Sequence, residues 1–531
     1  MSNLKPSYDV IVVGAGSAGS VLANRLSKDT NCQVLLVEAG PSHKNLLISM
    51  PAAVAKAIGS PKFNWHYWSS EQKHLNARRL TTPRGKVLGG SSSINALVYM
   101  RGHAKDYDRW QALGCDGWDY QSVLPYFKAT ENNCRGGDNF RGDSGEMYVG
   151  DPESNNPMFK AFIEAGQQMG YPFCQDFNGK NQEGFGSFQL NIKDGKRFSA
   201  ARAFIDSVQH RPNLHIVTGA QVLGLNFEDN KATGINLVYQ GKQQNITAGK
   251  TVLSAGSIGT AQLLLTSGVG PADELNALDI QTVMDLPGVG KNLQDHMEVK
   301  VKCRINQPLS LSKYTEFPHQ YIAALRYLLT GQGVCRQQGL EAGAFFSLDS
   351  DSEHPDTQLH FINALAFDGA TEADRGHGFA IDISPLRPTS RGELTLVSKD
   401  VRQAPNIDPN YLATEYDREM MREGLKMLRE LCQQPALAQY IETELFPGKH
   451  VLSDAELDEV IRNTAESIYH PVGTAKMGVD AMAVVNPSTM AVYGTENLYV
   501  ADASIMPDLV SGNTHAASVM IGAKAADLIN E

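Results

Sequence analysis

Three glycines near the start of this 531-residue chain mark the first place where chemistry can happen. Gly14-Ala15-Gly16-Ser17-Ala18-Gly19 is a complete GxGxxG. In that spacing the first glycine permits a tight turn, the second lets a pyrophosphate approach the backbone, and the third lets a helix pack closely on a strand. A run from Gln33 to Glu38 then ends in an acid about 20 residues beyond the last glycine, where a carboxylate can bind a ribose diol and disfavours a 2′-phosphate. Ala39 follows in the same turn. A second small-residue loop, Gly89-Gly90-Ser91-Ser92-Ser93, offers backbone donors and room for a long, flat molecule to pass, with Asn95 at its end to bond that molecule or to cap a helix. Near the C-terminus stand two histidines, whose side chain can take and return a proton near neutral pH. His470 precedes Pro471, which biases it toward an extended conformation, and His515 closes the run Ser511-Gly512-Asn513-Thr514-His515.

The elements that must carry these residues can be read around them. Val10 to Val13 is a β-branched run suited to a strand buried on both faces, and Ala18, Val21, Leu22 and Leu26 keep helical spacing after the glycines. Strand, fingerprint, helix, strand and terminal acid in register predict a dinucleotide site, but do not separate FAD from NAD. Asp502 follows the apolar run Leu498 to Val500 and so stands at a strand end, with Ala503 next to it. Ala516 to Ile529 reads as an apolar helix behind His515. Glu415 to Cys432 has helical spacing, and Arg391 to Val397 alternates like a strand. Phe317 to Leu329 reads as amphipathic, a wall helix before it is a membrane or quinone surface.

Composition removes several classes of function. A net charge of −11 repels phosphate polymers, so nucleic acid is not an expected partner. Seven scattered cysteines without a CxxC encode neither a disulfide framework nor a zinc ribbon, which fits a reducing, cytoplasmic setting. Asp295-His296, His354 and His360 have no metal-ligand spacing, and no metal is expected. No run of 18 apolar residues occurs, so membrane contact, if any, is peripheral, on the inner face of the membrane.

Taken with the fingerprint, Gly85-Lys86-Val87-Leu88-Gly89-Gly90-Ser91-Ser92-Ser93-Ile94-Asn95 resembles the glucose-methanol-choline (GMC) family of FAD-dependent oxidoreductases. The same holds for Gly256 to Ala261, Tyr469 to Gly478 and Val500 to Pro507. The runs Asn292 to His296 and Ala503 to Pro507 look most like the bacterial choline and aliphatic alcohol dehydrogenase branch. The resemblance implies an α/β fold: a Rossmann-like FAD-binding domain and a discontinuous α+β substrate-binding domain with an antiparallel sheet covered by helices. It places the first at 1–155, 196–300 and 466–531 and the second at 156–195 and 301–465.

The implied activity is oxidation of a primary alcohol to an aldehyde by hydride transfer to the flavin, with electrons passed to a quinone, a dye-like acceptor or oxygen. The same scaffold also hosts FAD-containing lyases. His470 is implied as the base, with His515 holding the same oxygen, Asn513 and Thr514 reaching the flavin, Val222 meeting the adenine, and Asp502 fixing the cofactor. FAD is expected to be non-covalent, because Ile94 stands where some relatives carry the tethering histidine. Glu341 matches a carboxylate that choline-oxidising relatives turn toward a trimethylammonium group. His515 argues against choline, since an imidazole able to charge is a poor neighbour for a quaternary cation.

Overall fold

Two seven-stranded sheets organise the molecule, a computed structural model that describes residues 4–365 and 376–530. In the first sheet β1 (Ser7–Val13) lies between β2 (Val34–Glu38) and the strand Lys242–Leu253, parallel to both. Leu214–Thr218 continues the parallel set beyond β2, and Leu498–Val500 joins the end of Lys242–Leu253. Val10 to Val13 and all of β2 are buried, as strands covered on both faces must be. Ala220–Glu228 and Lys231–Tyr239 add an antiparallel extension. Helix α1 (Ser17–Leu26) follows the glycine turn. It packs so closely on the C-terminal helix that a Cβ at Gly522 would stand 2.5 Å from the Ala18 carbonyl oxygen.

The second sheet is antiparallel and runs Ile441–Phe446, Met297–Ile305, Gly378–Pro385, Thr357–Ile362, Ala342–Phe346, Gly184–Ser187. Helix Glu415–Gln433 covers it with a buried face that includes Met420, Leu425, Leu428 and Leu431. The strand expected over 391–397 is short, Glu393–Thr395, and pairs with Asn406–Asp408 outside the large sheet.

The seams between the sheets matter most. Met297–Ile305 runs through the boundary expected at residue 300, and Glu466–Ser467, expected in the first unit, pairs with Met297 and Glu298 in the second sheet. The chain therefore changes sheets just before 297 and just after 467. Because these two segments are antiparallel, Asp295 and His296, which precede one, lie beside residues 468–470, which follow the other, and the Ile468 N–H donates to the His296 carbonyl at 3.1 Å. Outside the sheets, helix α2 (His319–Thr330) rests on the segment 46–58, and α3 (His515–Asn530) closes the chain beside α1.

Candidate active site

One cavity of about 350 Å³ runs from the fingerprint to His470. Gly14, Gly16, Ser17 and Ala18 line one end, with Glu38 and Ala39 at the strand end and Gly90, Ser91 and Asn95 opposite. The two glycine loops meet backbone to backbone. Gly90 has φ +54°, and a Cβ there would come within 2.7 Å of the Gly16 Cα. Gly19 lies outside the lining because its task is packing: a Cβ would fall 1.9 Å from the Gly14 carbonyl oxygen. Gly89 likewise shapes the loop and is not among the residues that line the cavity. Such a narrow channel, walled by bare backbone and ending at a buried acid, fits a dinucleotide.

The Glu38 carboxylate is braced by the N–H groups of Ala15 (3.1 Å) and Gly40 (2.8 Å), and burial pushes its pKa up to about 7. Val222, Ala503, Asn513 and Thr514 all face the cavity. Asn95 is fixed by Arg197, a fully buried guanidinium that donates to its Oδ1 at 2.9 Å. Asp502 also lines the cavity, but its oxygens accept from the Gly256 N–H (2.8 Å), the Thr260 hydroxyl (2.6 Å) and the Ser504 N–H (2.8 Å). Its carboxylate therefore ties together the walls at Gly256, Thr260 and Ser504.

At the other end His470 sits in a chain of directed hydrogen bonds. The Leu386 carbonyl can only accept, so His296 Nε2, 2.9 Å away, carries a proton. Burial holds the His296 pKa down at about 4, so the ring is neutral and its Nδ1 is a lone pair. His470 Nδ1, 3.0 Å from that lone pair, must then be the donor. It follows that Nε2 of a neutral His470 is unprotonated and turned toward Asn513, whose Nδ2 donates to it at 3.2 Å. Gln358 Nε2 donates to the Asn513 Oδ1 at 3.2 Å and so sets the direction of that amide. Burial, then His296, His360 and Arg84, hold the His470 pKa well below the ordinary histidine value.

The peptide unit before His470 is pinned at both ends. Its carbonyl, on Tyr469, accepts from Arg84, and its N–H, on His470, donates to Asp295 at 2.6 Å. Asp295 also takes the hydroxyls of Tyr411 (2.6 Å) and Ser467 (2.5 Å). Tyr469 has φ +70°, a left-handed conformation that costs a non-glycine residue about 1 kcal/mol or more, and the two charged side chains offset it.

Two expectations are corrected. His515 is not beside His470: its Nδ1 lies 2.8 Å from the Ser17 hydroxyl in the fingerprint, and burial, with Arg197 adding to it, brings its pKa to about 4. Residues two apart at a helix start do not share a face, and here Asn513 takes the side toward His470. Glu341 is buried just before Ala342–Phe346, outside the cavity lining and with no hydrogen-bond partner on either carboxylate oxygen, and burial raises its pKa to about 7. Glu341 thus stands outside the cavity lining with its carboxylate unpartnered, and His515 bonds the fingerprint rather than His470.

The residues missed were His296, Gln358, His360 and Arg84. The motif Asn292 to His296 was visible, but its partner was not, because the contact depends on the register between 297–298 and 466–467. Among the described residues no cluster could hold a metal ion, and no helix is long and apolar enough to cross a membrane.

The family model described as GMC oxidoreductase matches the chain in two parts, residues 8–298 and 388–522. The alcohol dehydrogenase [acceptor] of Pseudomonas putida is 42% identical, over 98% of this chain and 95% of its own. Mitochondrial choline dehydrogenase of Mus musculus is 43% identical, over 99% of this chain and 90% of its own. Among solved structures, an R554K variant of Aspergillus oryzae formate oxidase, studied for its FAD modification, superposes with a TM-score of 0.92 at 26% identity, covering 100% of this chain and 99% of that one.

Proposed function

The chain belongs to the GMC oxidoreductases, an FAD-dependent enzyme acting on the CH–OH group of alcohols, and from that premise we propose that His470 is its base and a neutral, apolar primary alcohol its substrate. FAD supplies the hydride acceptor when bound in the cavity. The chain's own residues handle the proton. Nε2 of His470 enters the reaction unprotonated because the Leu386–His296 relay places the ring's one proton on Nδ1, and it takes the hydroxyl proton as the C–H bond breaks. Asn513, directed by Gln358, donates to the same region and holds the substrate oxygen near Nε2. As His470 gains charge, its Nδ1–H bond to His296 strengthens and disperses that charge.

The observation that carries the substrate class is the charge of the wall. Among the described lining residues the only acids are Glu38 and Asp502, both engaged by protein donors, while Arg84 lies next to the base. Trp65, Tyr67, Leu97, Val98 and Ile468 supply apolar surface. A quaternary ammonium would find no free carboxylate there. Choline is the second reading, favoured by the identity to choline dehydrogenases. Anaerobic mixing of the holoenzyme with alcohols tests both. Flavin bleaching by neutral primary alcohols, at kcat/KM values above that for choline, is the expected result. A preference for choline refutes the substrate class, and cleavage of a cyanohydrin without bleaching refutes the redox reading. Repeating turnover with oxygen, a dye and a quinone identifies the external acceptor.

A further inference from the structure

Helix α2 is inside out. Its buried side chains are Ala323 and Tyr327, whereas Tyr321, Ile322, Leu325, Leu328 and Leu329, with Phe317 just before the helix, are 54–80% exposed. These positions follow the i, i+1, i+4, i+7, i+8 pattern of one helical face, opposite the buried pair. Single exposed apolar residues are ordinary, but six large ones on one face are not. We propose that this face is a docking surface for the interfacial layer of a lipid bilayer carrying anionic headgroups.

Charge selects that occupant. In a chain with net charge −11, α2 contains no acid and one arginine, Arg326, and the exposed Lys56 and Lys313 stand beside it. Lys56 Nζ lies over the Tyr321 ring at 5.8 Å, and Lys313 Nζ over the Tyr314 ring at 4.9 Å. Glu316 is the one acid in the adjoining turn. An apolar face with aromatic and cationic margins is what lies in a headgroup boundary, the bases meeting phosphates as the aliphatic side chains enter the acyl region.

The face is also continuous with the cavity. Ala323 and Tyr327 pack on Met50 and Ala53, and the same 46–58 segment ends at Ile58, which lines the cavity. A docked molecule would hold that wall next to the membrane, where a lipid-soluble acceptor or an apolar alcohol is concentrated. This last step rests on the proposed function; the docking does not.

The test uses FAD-loaded full-length protein, co-sedimented with phosphatidylcholine vesicles with and without phosphatidylglycerol, so that no turnover enters the readout. Binding should be stronger with phosphatidylglycerol and weaken in high salt. Leu325→Ser/Leu329→Ser should cut binding by about tenfold or more to either vesicle. Lys56→Glu should cut only the phosphatidylglycerol component. Both variants should keep wild-type activity with a soluble dye and a soluble alcohol, which shows them folded. Absence of wild-type binding to both vesicles, or undiminished binding by the double serine variant, overturns the proposal. So does a dimer in light scattering that the serines dissolve, since the face would then belong to a second copy of the chain.

Discussion

The two ends of the cavity are built from different materials. The fingerprint end is backbone: Gly14, Gly16 and Gly90 leave peptide groups bare, and the side chains that matter, Glu38 and Asp502, are turned back onto protein N–H groups. The His470 end is side chain: Arg84, His296, Gln358, His470 and Asn513 come from five stretches of sequence and meet through single hydrogen bonds. A backbone site tolerates no added atom, yet each peptide group there is one of many. A side-chain site tolerates changes of shape, but each donor is present once. Damage at the first end should therefore appear as lost cofactor, and damage at the second as lost rate with the cofactor in place.

Gly90→Ala is the harshest way to break this contrast. Alanine at φ +54° within 2.7 Å of the Gly16 Cα pushes two backbones apart, and FAD affinity should fall by about 10²-fold or more, read by flavin content of protein whose circular dichroism is unchanged. Next is His470→Ala, which should slow flavin reduction by about 10²-fold or more at normal FAD content, the scale of losing a positioned base. If His470→Ala loses FAD, or Gly90→Ala keeps it and loses only rate, the division between the ends is mistaken.

A smaller pair sharpens the boundary, which falls between two residues of one turn. Asn513→Ala should slow reduction by about tenfold, the loss of one directed hydrogen bond in a dry site, with FAD retained. His515→Ala removes the bond to Ser17 and should weaken FAD binding more than it slows reduction. Equal effects of the two on rate would return His515 to the chemistry. Acid release of free flavin should accompany all these proteins, because buried Ile94 cannot form a covalent link.

The smallest effects are in pH. The reduction rate should show no acid limb near 6.5, since His470 stays neutral well below that value. Stability has two opposed components. His296, His360 and His515, with folded values of about 4 against the usual 6.5, bind protons more readily unfolded. Their stabilising contribution is complete above about 6.5 and is lost as pH falls toward 4, about 3 kcal/mol each. Glu341, raised to about 7 from 4.5, behaves oppositely: its contribution is present below 4.5 and is lost as pH rises through 7. Denaturation between pH 7 and 4.5 should thus show a flatter slope for His360→Phe and a steeper acid loss for Glu341→Gln.

The same division explains what could be read from sequence. A backbone site is written as a contiguous motif, so the fingerprint, its strand, Glu38 and the Gly89-Gly90 loop were legible with their elements. His470 was legible as a candidate base only through the family resemblance, and its partners depend on pairings that one sequence does not display. The Met297↔Ser467 register sets His296 against His470, and the turn into α3 chooses Asn513 over His515. Glu341 was legible as a residue type at a matching position, but its burial without a hydrogen-bond partner was not, because that depends on how the strand Ala342–Phe346 packs.

The pinned peptide between Tyr469 and His470 acts as a surveyor's benchmark. Arg84 fixes it to the segment that leads into the Gly89-Gly90 loop, and Asp295 fixes it to the seam where the antiparallel sheet begins. His470 is thereby measured from both halves of the molecule at once and from neither of the apolar walls between them. On the proposed reading, exchanging Trp65, Leu97 or Val98 should redraw the space offered to an alcohol without moving His470. A scaffold tied down in this way can change its substrate by small steps, each one leaving a working enzyme behind it.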